Sequence, residues 1–472
     1  MLIEQILTRC LSQMSYYIES NGEAIIIDPL REIEPYISRA KKTNAKIKYI
    51  FETHFHADFI SGHLPLSEHT GAPIVFGPLA KPKFDCMILN DSEELNIGNL
   101  KIVALHTPGH TMESTCYLLK DGNGKNHSLF TGDTLFLGDV GRPDLAQKSK
   151  NRFSEKYLAR LLYKSLRDKI FPLEDNIIIY PSHGFGSACG KKISKKTMAL
   201  LGDEKKTNYA LNPDISENEF VNELVTGLEK PPKYFPSNVK MNIEGCQKTS
   251  KVIANGLNPL SVDEFENLCK SRDVIILDVR DKNEFASGHI PNSLFIGIDG
   301  MFAPWAGTVI QEISTPLLLI IPKGREKETI KRLARVGFDN TLGYLKGGFT
   351  SWKDAGKKID YINTISPNKF EEKSKKKSLR VYDVRKPFEF NTSHLKNSIN
   401  IPLNNLNKKI KESEKENELF LHCQTGYRSM IASSLLKIKG YKNVNDINGG
   451  FVALKSYGIK TFSSKNLVNQ NS

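Results

Sequence analysis

The sequence has no long uncharged run of apolar residues. A membrane helix needs roughly 18 such residues in a row, and every apolar stretch of this chain is interrupted sooner. The first residues carry Glu4 and no basic start, so they do not match a secretory signal peptide. The seven cysteines are an odd set without paired spacings, which predicts thiols in the reducing cytoplasm rather than a disulfide framework. We therefore expect a cytoplasmic chain with no membrane partner.

Clustered positive charge is also missing, although the formal net charge is +13. The lysines occur in dispersed runs without interleaved aromatic residues, at 191–192, 205–206 and 375–377. A nucleic-acid face concentrates its charge on one surface, so we expect no nucleic-acid partner. A lysine-rich surface explains the excess charge, and a small anionic partner is the alternative.

A chain of 472 residues is long enough for two to four domains, each with its own core. Within residues 1–240, a predicted hairpin at Asn21-Gly22 is followed by four apolar strands that each run into a polar loop. These strands are 47–51, 100–105, 128–131 and 177–180. Rigid strands determine where loop side chains lie, so this repeated delivery of His and Asp predicts one shared site.

The loop after the first of these strands reads His54-Phe55-His56-Ala57-Asp58-Phe59. Two imidazoles at alternate positions and a carboxylate two residues later form a ligand set that suits a metal ion. Asp58 could instead cap the helix that follows. The later loops contribute His110, Asp133 and His183.

These loops resemble those of the metallo-β-lactamase superfamily, whose fold is an αβ/βα sandwich with its metal site along one edge. Hydrolases of that superfamily carry His-x-His-x-Asp-His and bind two metals, whereas Phe59 occupies the last His position here. An apolar ring cannot ligate, which favours a mononuclear centre. Three segments, Ser61-Gly62-His63, 138–144 and 181–190, resemble persulfide dioxygenases that are fused to rhodanese domains.

The resemblance implies that one Fe(II) per chain is held by His54, His110 and Asp133, with zinc as the alternative metal. Two imidazoles and one carboxylate with open positions form the facial triad suited to non-haem iron and oxygen. The resemblance gives substrate-binding or ligand-orienting roles to His56, Asp58 and His183, with a direct ligand role as the alternative for His56. It also implies that Arg142 and Asp144 form a pair that steadies the pocket. Cys189 is either a functional thiol or a small packed residue. The four remaining histidines of this region are predicted to be structural or exposed, namely His63, His69, His106 and His127.

An internal repeat follows a boundary near residues 231–236. Asp278-Val279-Arg280 returns as Asp383-Val384-Arg385, and Gly347-Gly348-Phe349 returns as Gly449-Gly450-Phe451. We name residues 257–362 the first copy and residues 376–465 the second copy. Both resemble rhodanese, a parallel sheet with helices on both faces. Residues 236–256 and 368–378 are predicted to be polar, solvated linkers.

The second copy contains a strand that opens into Cys423-Gln424-Thr425-Gly426-Tyr427-Arg428. Backbone N–H groups and the N-terminus of the next helix can stabilise a thiolate and a persulfide at such a cysteine. Gly426 permits the tight path and Arg428 adds a positive charge. Four residues separate Cys423 from Arg428, one fewer than in the tyrosine-phosphatase loop, so sulfur transfer is favoured. The first copy has Ile321 and Glu326 at the equivalent positions, and we expect it to be inactive.

Together these features predict an enzyme that oxidises thiol persulfides, of glutathione, coenzyme A or a similar thiol, with O₂ to give sulfite. Rhodanese transfer through Cys423 would then give thiosulfate. The alternative is a thioester hydrolase like glyoxalase II, with a dinuclear metal, fused to a sulfurtransferase. A third hypothesis makes the rhodanese copies a protein-docking array. A homo-oligomer is compatible with the sequence.

Overall fold

The computed structural model describes residues 1–145, 153–376 and 378–463. None of the helices in these ranges combines the length and the hydropathy that a bilayer crossing needs. The chain divides into two compact units. The first comprises residues 1–252, 311–313 and 331–339, and the second comprises residues 253–310, 314–330 and 340–472.

Two six-stranded sheets form the centre of the first unit. The first sheet contains β1 Leu2–Thr8, β2 Gln13–Ser20, β3 Glu23–Ile27, β4 Lys46–Phe51, β5 Ile74–Phe76 and β6 Met87–Ile88. The second contains β7 Glu94–Ile97, β8 Leu100–His106, β9 Thr115–Lys120, β10 Asn126–Gly132, β11 Ile178–Pro181 and β12 Ala199–Leu200. The β2–β3 turn has positive φ at both Asn21 and Gly22, which is the hairpin geometry that this residue pair favours.

Helices cover the outer faces of both sheets. The helices of residues 1–256 are α1 Glu34–Thr43, α2 His63–Thr70, α3 Glu155–Ser165, α4 Leu201–Thr207, α5 Glu217–Val225, α6 Phe235–Glu244 and α7 Thr249–Gly256. One apolar core lies between the sheets and joins Tyr16 and Phe51 to Tyr117 and Phe130. Separate cores lie under α1 and under α3 with α5. This layering confirms the predicted αβ/βα sandwich.

The first copy is built around a five-stranded parallel sheet in the order β13-β17-β16-β14-β15. Its strands are β13 Pro259–Leu260, β14 Ile275–Asp278, β15 Leu294–Phe295, β16 Leu317–Ile320 and β17 Thr341–Leu345. Its helices are α8 Val262–Ser271, α9 Lys282–Ser287, α10 Phe302–Val309, α11 Glu326–Ala334 and α12 Gly348–Asp354. Among these helices, α10 buries Phe302, Ala303 and Ala306.

The second copy repeats this topology with a parallel sheet in the order β18-β23-β22-β19-β21. The first strand of this sheet, β18 Asn363–Ile365, precedes residue 376, as does most of the helix that follows it, α13 Pro367–Lys376. The strands within the second copy are β19 Arg380–Asp383, β20 His394–Leu395, β21 Ile399–Asn400, β22 Glu418–His422, β23 Asn443–Ile447 and β24 Thr461–Phe462. Its helices are α14 Pro387–Thr392, α15 Leu406–Lys409, α16 Tyr427–Ile438 and α17 Gly450–Ser456. Two rhodanese-like parallel sheets are therefore confirmed.

The prediction of two solvated linkers is wrong, because both segments are largely helical. Residues 236–256 include most of α6 and all of α7, and residues 368–376 belong to α13. Few buried apolar residues mark these helices in the sequence. In α13 the buried residue is Phe370, and α6 buries two asparagines beside Phe235. Lys377 and residues 464–465 of the predicted second copy lie outside the described residues. The domain bounds 1–240, 257–362 and 376–465 stay predictions.

Candidate metal centre and sulfur-transfer loop

His54, His110 and Asp133 come together from the loops after three strands. His54 follows β4, His110 follows β8 and Asp133 follows β10. All three are buried, and their ligand atoms lie within 4.8 Å of one another. Asp133 Oδ2 is 3.8 Å from His54 Nε2 and 3.5 Å from His110 Nε2. The sandwich thus brings together one candidate ligand from its first sheet and two from its second.

Hydrogen bonds on the far side of each imidazole determine which nitrogen carries the proton. His110 Nδ1 donates to the Arg142 carbonyl at 2.8 Å, so the neutral ring presents a lone pair at Nε2. The Thr53 hydroxyl donates to Asp28 at 2.9 Å and therefore accepts from His54 Nδ1 at 3.0 Å. Burial lowers the pKa of both His54 and His110, which keeps the two rings neutral.

Asp133 Oδ2 is buried and has no hydrogen-bond partner among the described residues. Burial by itself would raise the pKa of Asp133, but the charge and hydrogen bond of His183 hold that pKa below its ordinary value. One carboxylate oxygen and two imidazole lone pairs therefore converge with no proton between them. Such an arrangement is costly in a dry interior unless a cation joins it. The donor set fits a metal ion with open positions.

The His183 ring lies between two carboxylates. Its Nδ1 lies 2.6 Å from Asp133 Oδ1 and its Nε2 lies 2.8 Å from Asp58 Oδ2. Burial opposes its charge, yet Asp133 and Asp58 raise the pKa of His183 well above its ordinary value. With both nitrogens facing carboxylates, His183 orients Asp133. Asp58 does not cap α2, because Gly62 is the N-cap residue of that helix.

His56 is outside the group of His54, His110 and Asp133, although its ring centroid lies 4.1 Å from that of His54. Its Nε2 is 3.2 Å from Asp28 Oδ1 and 3.7 Å from Glu52 Oε2. His56, Asp58 and His183 also lie close enough together to hold a cation. The structure therefore contains a second buried cluster beside the first one.

Phe59 is fully buried, and its ring lies 4.3 Å from that of His56 and 6.4 Å from that of His183. Its apolar ring fills the space beside the second cluster. Phe59 therefore offers no ligand atom to the second cluster.

Arg142 connects the His110 loop to the segment around Cys189. Its guanidinium forms two hydrogen bonds of 2.6 Å with Asp144 and one of 3.2 Å with the Ala188 carbonyl. Its backbone N–H donates to the Cys189 carbonyl at 3.0 Å. The Cys189 thiol lies beside Asp133 and His183, and burial raises its pKa well above the ordinary value. All six residues predicted around the ligands thus lie at or near the site, with Asp144 reaching it through Arg142.

Three residues that sequence reasoning missed hold the His54–Phe59 loop. Asp28 accepts hydrogen bonds from the Thr53 N–H at 2.8 Å and from its hydroxyl. Asn242 donates to the carbonyls of His56 and Phe59, both at 2.8 Å, and Tyr234 donates to the Asp58 carbonyl at 3.2 Å. The available signals were an aspartate at the end of a strand and a helix concealed in the supposed linker.

The predicted structural histidines of this region have mixed settings. His63 is buried and its Nδ1 lies 2.9 Å from Glu52, while His106 contacts the Met112 carbonyl at 2.9 Å and His127 contacts Ser128. None of these three belongs to the clusters that could hold a cation among the described residues.

Cys423 is buried at the carboxyl end of β22, in front of α16. The Gly426 N–H donates to its sulfur at 3.2 Å, and the Ser429 hydroxyl lies 3.7 Å away. Gly426 has a φ of 98°, which a residue with a side chain rarely adopts. The Phe451 N–H donates to the Cys423 carbonyl at 2.7 Å. The repeated Gly-Gly-Phe turn therefore supports the cysteine loop from behind.

Arg428 is turned toward Glu389 rather than standing free. Its two terminal nitrogens donate to the Glu389 carboxylate at 2.7 and 2.8 Å. Burial would raise the pKa of Glu389, but Arg428 holds that pKa below its ordinary value. Much of the Arg428 charge is therefore neutralised before any anion reaches the cysteine.

The family models match both halves of the chain. The model of the metallo-beta-lactamase superfamily matches residues 8–183, and the model of the rhodanese-like domain matches residues 261–355 and 366–457. Persulfide dioxygenase ETHE1 of Bos taurus is 30% identical over 229 residues, which cover 47% of this chain and 80% of that protein. The chain belongs to the metallo-beta-lactamase superfamily. Its metallo-beta-lactamase domain is followed by two rhodanese-like domains, as predicted.

Hydrolases are similar to this metallo-beta-lactamase domain at comparable identity. A cytoplasmic hydroxyacylglutathione hydrolase of Arabidopsis thaliana is 35% identical over 138 residues, 28% of this chain. The chain spans 53% of the length of that relative. A solved metallo-beta-lactamase structure from Staphylococcus aureus is 31% identical to this chain, with a TM-score of 0.66. The match covers 73% of this chain and 99% of the Staphylococcus aureus chain. The chain is thus similar to both kinds of enzyme.

Proposed function

We propose that the metallo-beta-lactamase domain oxidises low-molecular-weight thiol persulfides with O₂ at one non-haem iron. The proposed ligands are His54, His110 and Asp133. In the balanced reaction, R–S–S⁻, O₂ and water give R–SH, sulfite and one proton. The proposal places this reaction in the cytoplasm and takes glutathione, coenzyme A or a similar thiol as the carrier.

The observation that carries the proposal is Phe59. The ring is fully buried beside His56, at the position where the two-metal hydrolases carry a histidine. A second metal would there lack one nitrogen ligand, and His183 has both nitrogens directed at carboxylates. These features support a single metal with open positions.

Each part of the chain then has a role in the proposed reaction. A ferrous ion held by the three ligands would supply the redox chemistry that joins O₂ to the persulfide sulfur. His183 keeps Asp133 ionised and directs its free oxygen inward, and the Arg142 carbonyl keeps the lone pair of His110 on Nε2. The Arg142–Asp144 pair holds the His110 loop against the Cys189 segment. We leave Cys189 as a neutral thiol on the wall of this site.

We further propose that the second copy is a sulfurtransferase with Cys423 as its nucleophile. Cys423 takes the outer sulfur of a persulfide to form Cys423–S–S⁻ and releases R–SH. Sulfite then attacks that outer sulfur, which leaves as thiosulfate and restores the thiolate. The Gly426 N–H and the Ser429 hydroxyl contact the cysteine sulfur, as the proposal requires of groups that stabilise an anion there.

Thioester hydrolysis with two metals is the second candidate, and the cluster of His56, Asp58 and His183 favours it. Metal analysis separates the two candidates. Purified protein is reconstituted anaerobically with excess Fe(II) or Zn(II), desalted and assayed for metal per chain. We expect one iron per chain and O₂ consumption with glutathione persulfide. Two tightly bound zinc ions with rapid cleavage of a glutathione thioester, and no O₂ uptake, would overturn the proposal.

A further inference from the structure

Lys282 of the first copy reaches the cysteine loop of the second copy. Lys282 and the cysteine loop both belong to the second unit. The Lys282 ammonium donates to the Thr425 carbonyl at 2.5 Å. A methyl group built on Gly426 would lie 2.7 Å from Lys282 Nζ. The Gly426 N–H contacts the Cys423 sulfur at 3.2 Å. The Lys282 ammonium therefore lies against the residue that contacts the nucleophile.

A glycine turn of the first copy supports the same loop. The Tyr427 hydroxyl donates to the Gly297 carbonyl at 2.7 Å. A methyl group on Gly300 would overlap the Tyr427 ring, and the ring of Phe295 lies 6.1 Å away. Tyr427 is the residue between Gly426 and Arg428, so the first copy contacts the loop at two separate points.

The cations around Cys423 differ in how far their charge is compensated. Arg428 is paired with Glu389, and Arg385 is paired with Asp383. Lys282 has a carbonyl as its hydrogen-bond partner, and no carboxylate within the described ranges forms an ion pair with it. Asp446 lies within Coulombic reach of Lys282, and burial raises its pKa to about 7, so it compensates part of the charge. Of these three cations, Lys282 is therefore the one that is most available to an anion.

We propose that the first copy, which lacks a nucleophile, supplies Lys282 as the residue that recruits anionic sulfur compounds to Cys423. The ligands have the chemistry of small sulfur oxyanions, thiosulfate as donor and sulfite as acceptor. The proposal rests on the sulfur-transfer function of Cys423 argued above. Lys282 acts by binding and orienting the anion, while the bonds are made and broken at the Cys423 sulfur.

The kinetic test measures sulfur transfer from thiosulfate to cyanide by the full chain. Lys282→Gln keeps a long polar side chain but removes the charge, and Lys282→Arg restores it. We expect the glutamine variant to raise the KM for thiosulfate by roughly threefold to tenfold, with a smaller change in kcat. The arginine variant should recover most of the loss. The matched control is Lys270→Gln, which removes an exposed lysine of the same copy that pairs with Glu266.

A chemical test separates this inference from the function on which it rests. The rates at which iodoacetate and the neutral iodoacetamide alkylate Cys423 are compared by mass spectrometry. Lys282→Gln should slow the anionic reagent by at least about threefold more than the neutral one. Wild-type protein without sulfur transfer would reject the proposed function and leave the alkylation result to judge Lys282. Equal KM values together with an unchanged ratio of alkylation rates would overturn the role of Lys282.

Discussion

In the proposed function, Phe59 is the side chain that separates persulfide oxidation from two-metal hydrolysis. Its neighbours His56, Asp58 and His183 form a buried cluster that could hold a cation, and the Phe59 ring packs against His56 at 4.3 Å. A carbon ring donates no lone pair, so the second cluster is one ligand poorer than in the two-metal hydrolases. At the scale of the residue, the proposal of one metal rather than two therefore depends on this missing nitrogen.

Replacing Phe59 with histidine should restore a second metal position. We expect Phe59→His to raise the zinc content of reconstituted protein from one to two ions per chain and to reduce persulfide-dependent O₂ uptake. A stability loss of about 1 to 3 kcal/mol should accompany the change, because a smaller, polar imidazole replaces a buried apolar ring. Metal content is measured by inductively coupled plasma mass spectrometry after desalting.

Phe55→His provides the matched control for this experiment. Phe55 lies in the same loop, but its ring packs on Phe76 at 4.8 Å, away from the histidine cluster. It should leave the metal count at one. A Phe59→His variant that still binds a single zinc ion in excess metal would contradict the role given to Phe59.

At the scale of the element, the site is made by strands that end together and by a close-packed loop. β4, β8 and β10 deliver the three candidate ligands, and the loop of residues 138–144 lies against them. Gly141 lies where a methyl group would overlap the Asp133 carbonyl and come within 2.8 Å of His110 Nδ1. The absence of a side chain lets this loop approach two ligands at once.

Gly141→Ala should therefore disturb the metal centre without touching a ligand. We expect an overpacking cost of about 1 to 3 kcal/mol and a weaker hold on the metal, because the His110 ring and the Asp133 backbone must shift. Chelator-competition titration and thermal unfolding measure the two effects. Gly122→Ala is the control, since its methyl group would lie 3.7 Å from Asn99. Unchanged metal affinity in Gly141→Ala would show that the loop tolerates the shift.

At the scale of the whole molecule, the chain carries two candidate reaction centres and one copy without a nucleophile. The first copy keeps Arg280 stacked over Phe349 at 4.3 Å, as Arg385 stacks over Phe451 at 3.8 Å in the second. The repeated motifs thus maintain the domain scaffold in both copies. This scaffold does not depend on the nucleophile or on its cation, since the first copy has neither.

Separating the two centres by mutation should separate their products. Cys423→Ser should leave O₂ uptake with glutathione persulfide within about twofold of wild type and lower thiosulfate formation by on the order of a hundredfold or more. Ion chromatography then shows sulfite as the accumulating product. Cys269→Ser, a half-buried cysteine of α8 in the first copy, serves as the control. Thiosulfate produced at the wild-type rate by Cys423→Ser would assign the nucleophile elsewhere.

Local sequence determined the features that depend on neighbouring residues. Apolar runs predicted the strands, Asn21-Gly22 predicted the hairpin turn, and the repeated Asp-Val-Arg and Gly-Gly-Phe motifs predicted two parallel sheets. The His54–Phe59 loop predicted a cation site, because its donors are close along the chain. The segments around α6 and α13 were missed, since each has few buried apolar residues to reveal its period.

Only the tertiary structure decided which distant groups meet. The pairing of Arg428 with Glu389, the support of the metal loop by Asn242, and the approach of Lys282 to Thr425 join residues 39, 183 to 186 and 143 positions apart. No local pattern encodes such contacts, because they depend on how sheets and helices pack. Hydrogen bonding and burial then determine which imidazole nitrogen keeps its lone pair and which cation keeps its charge.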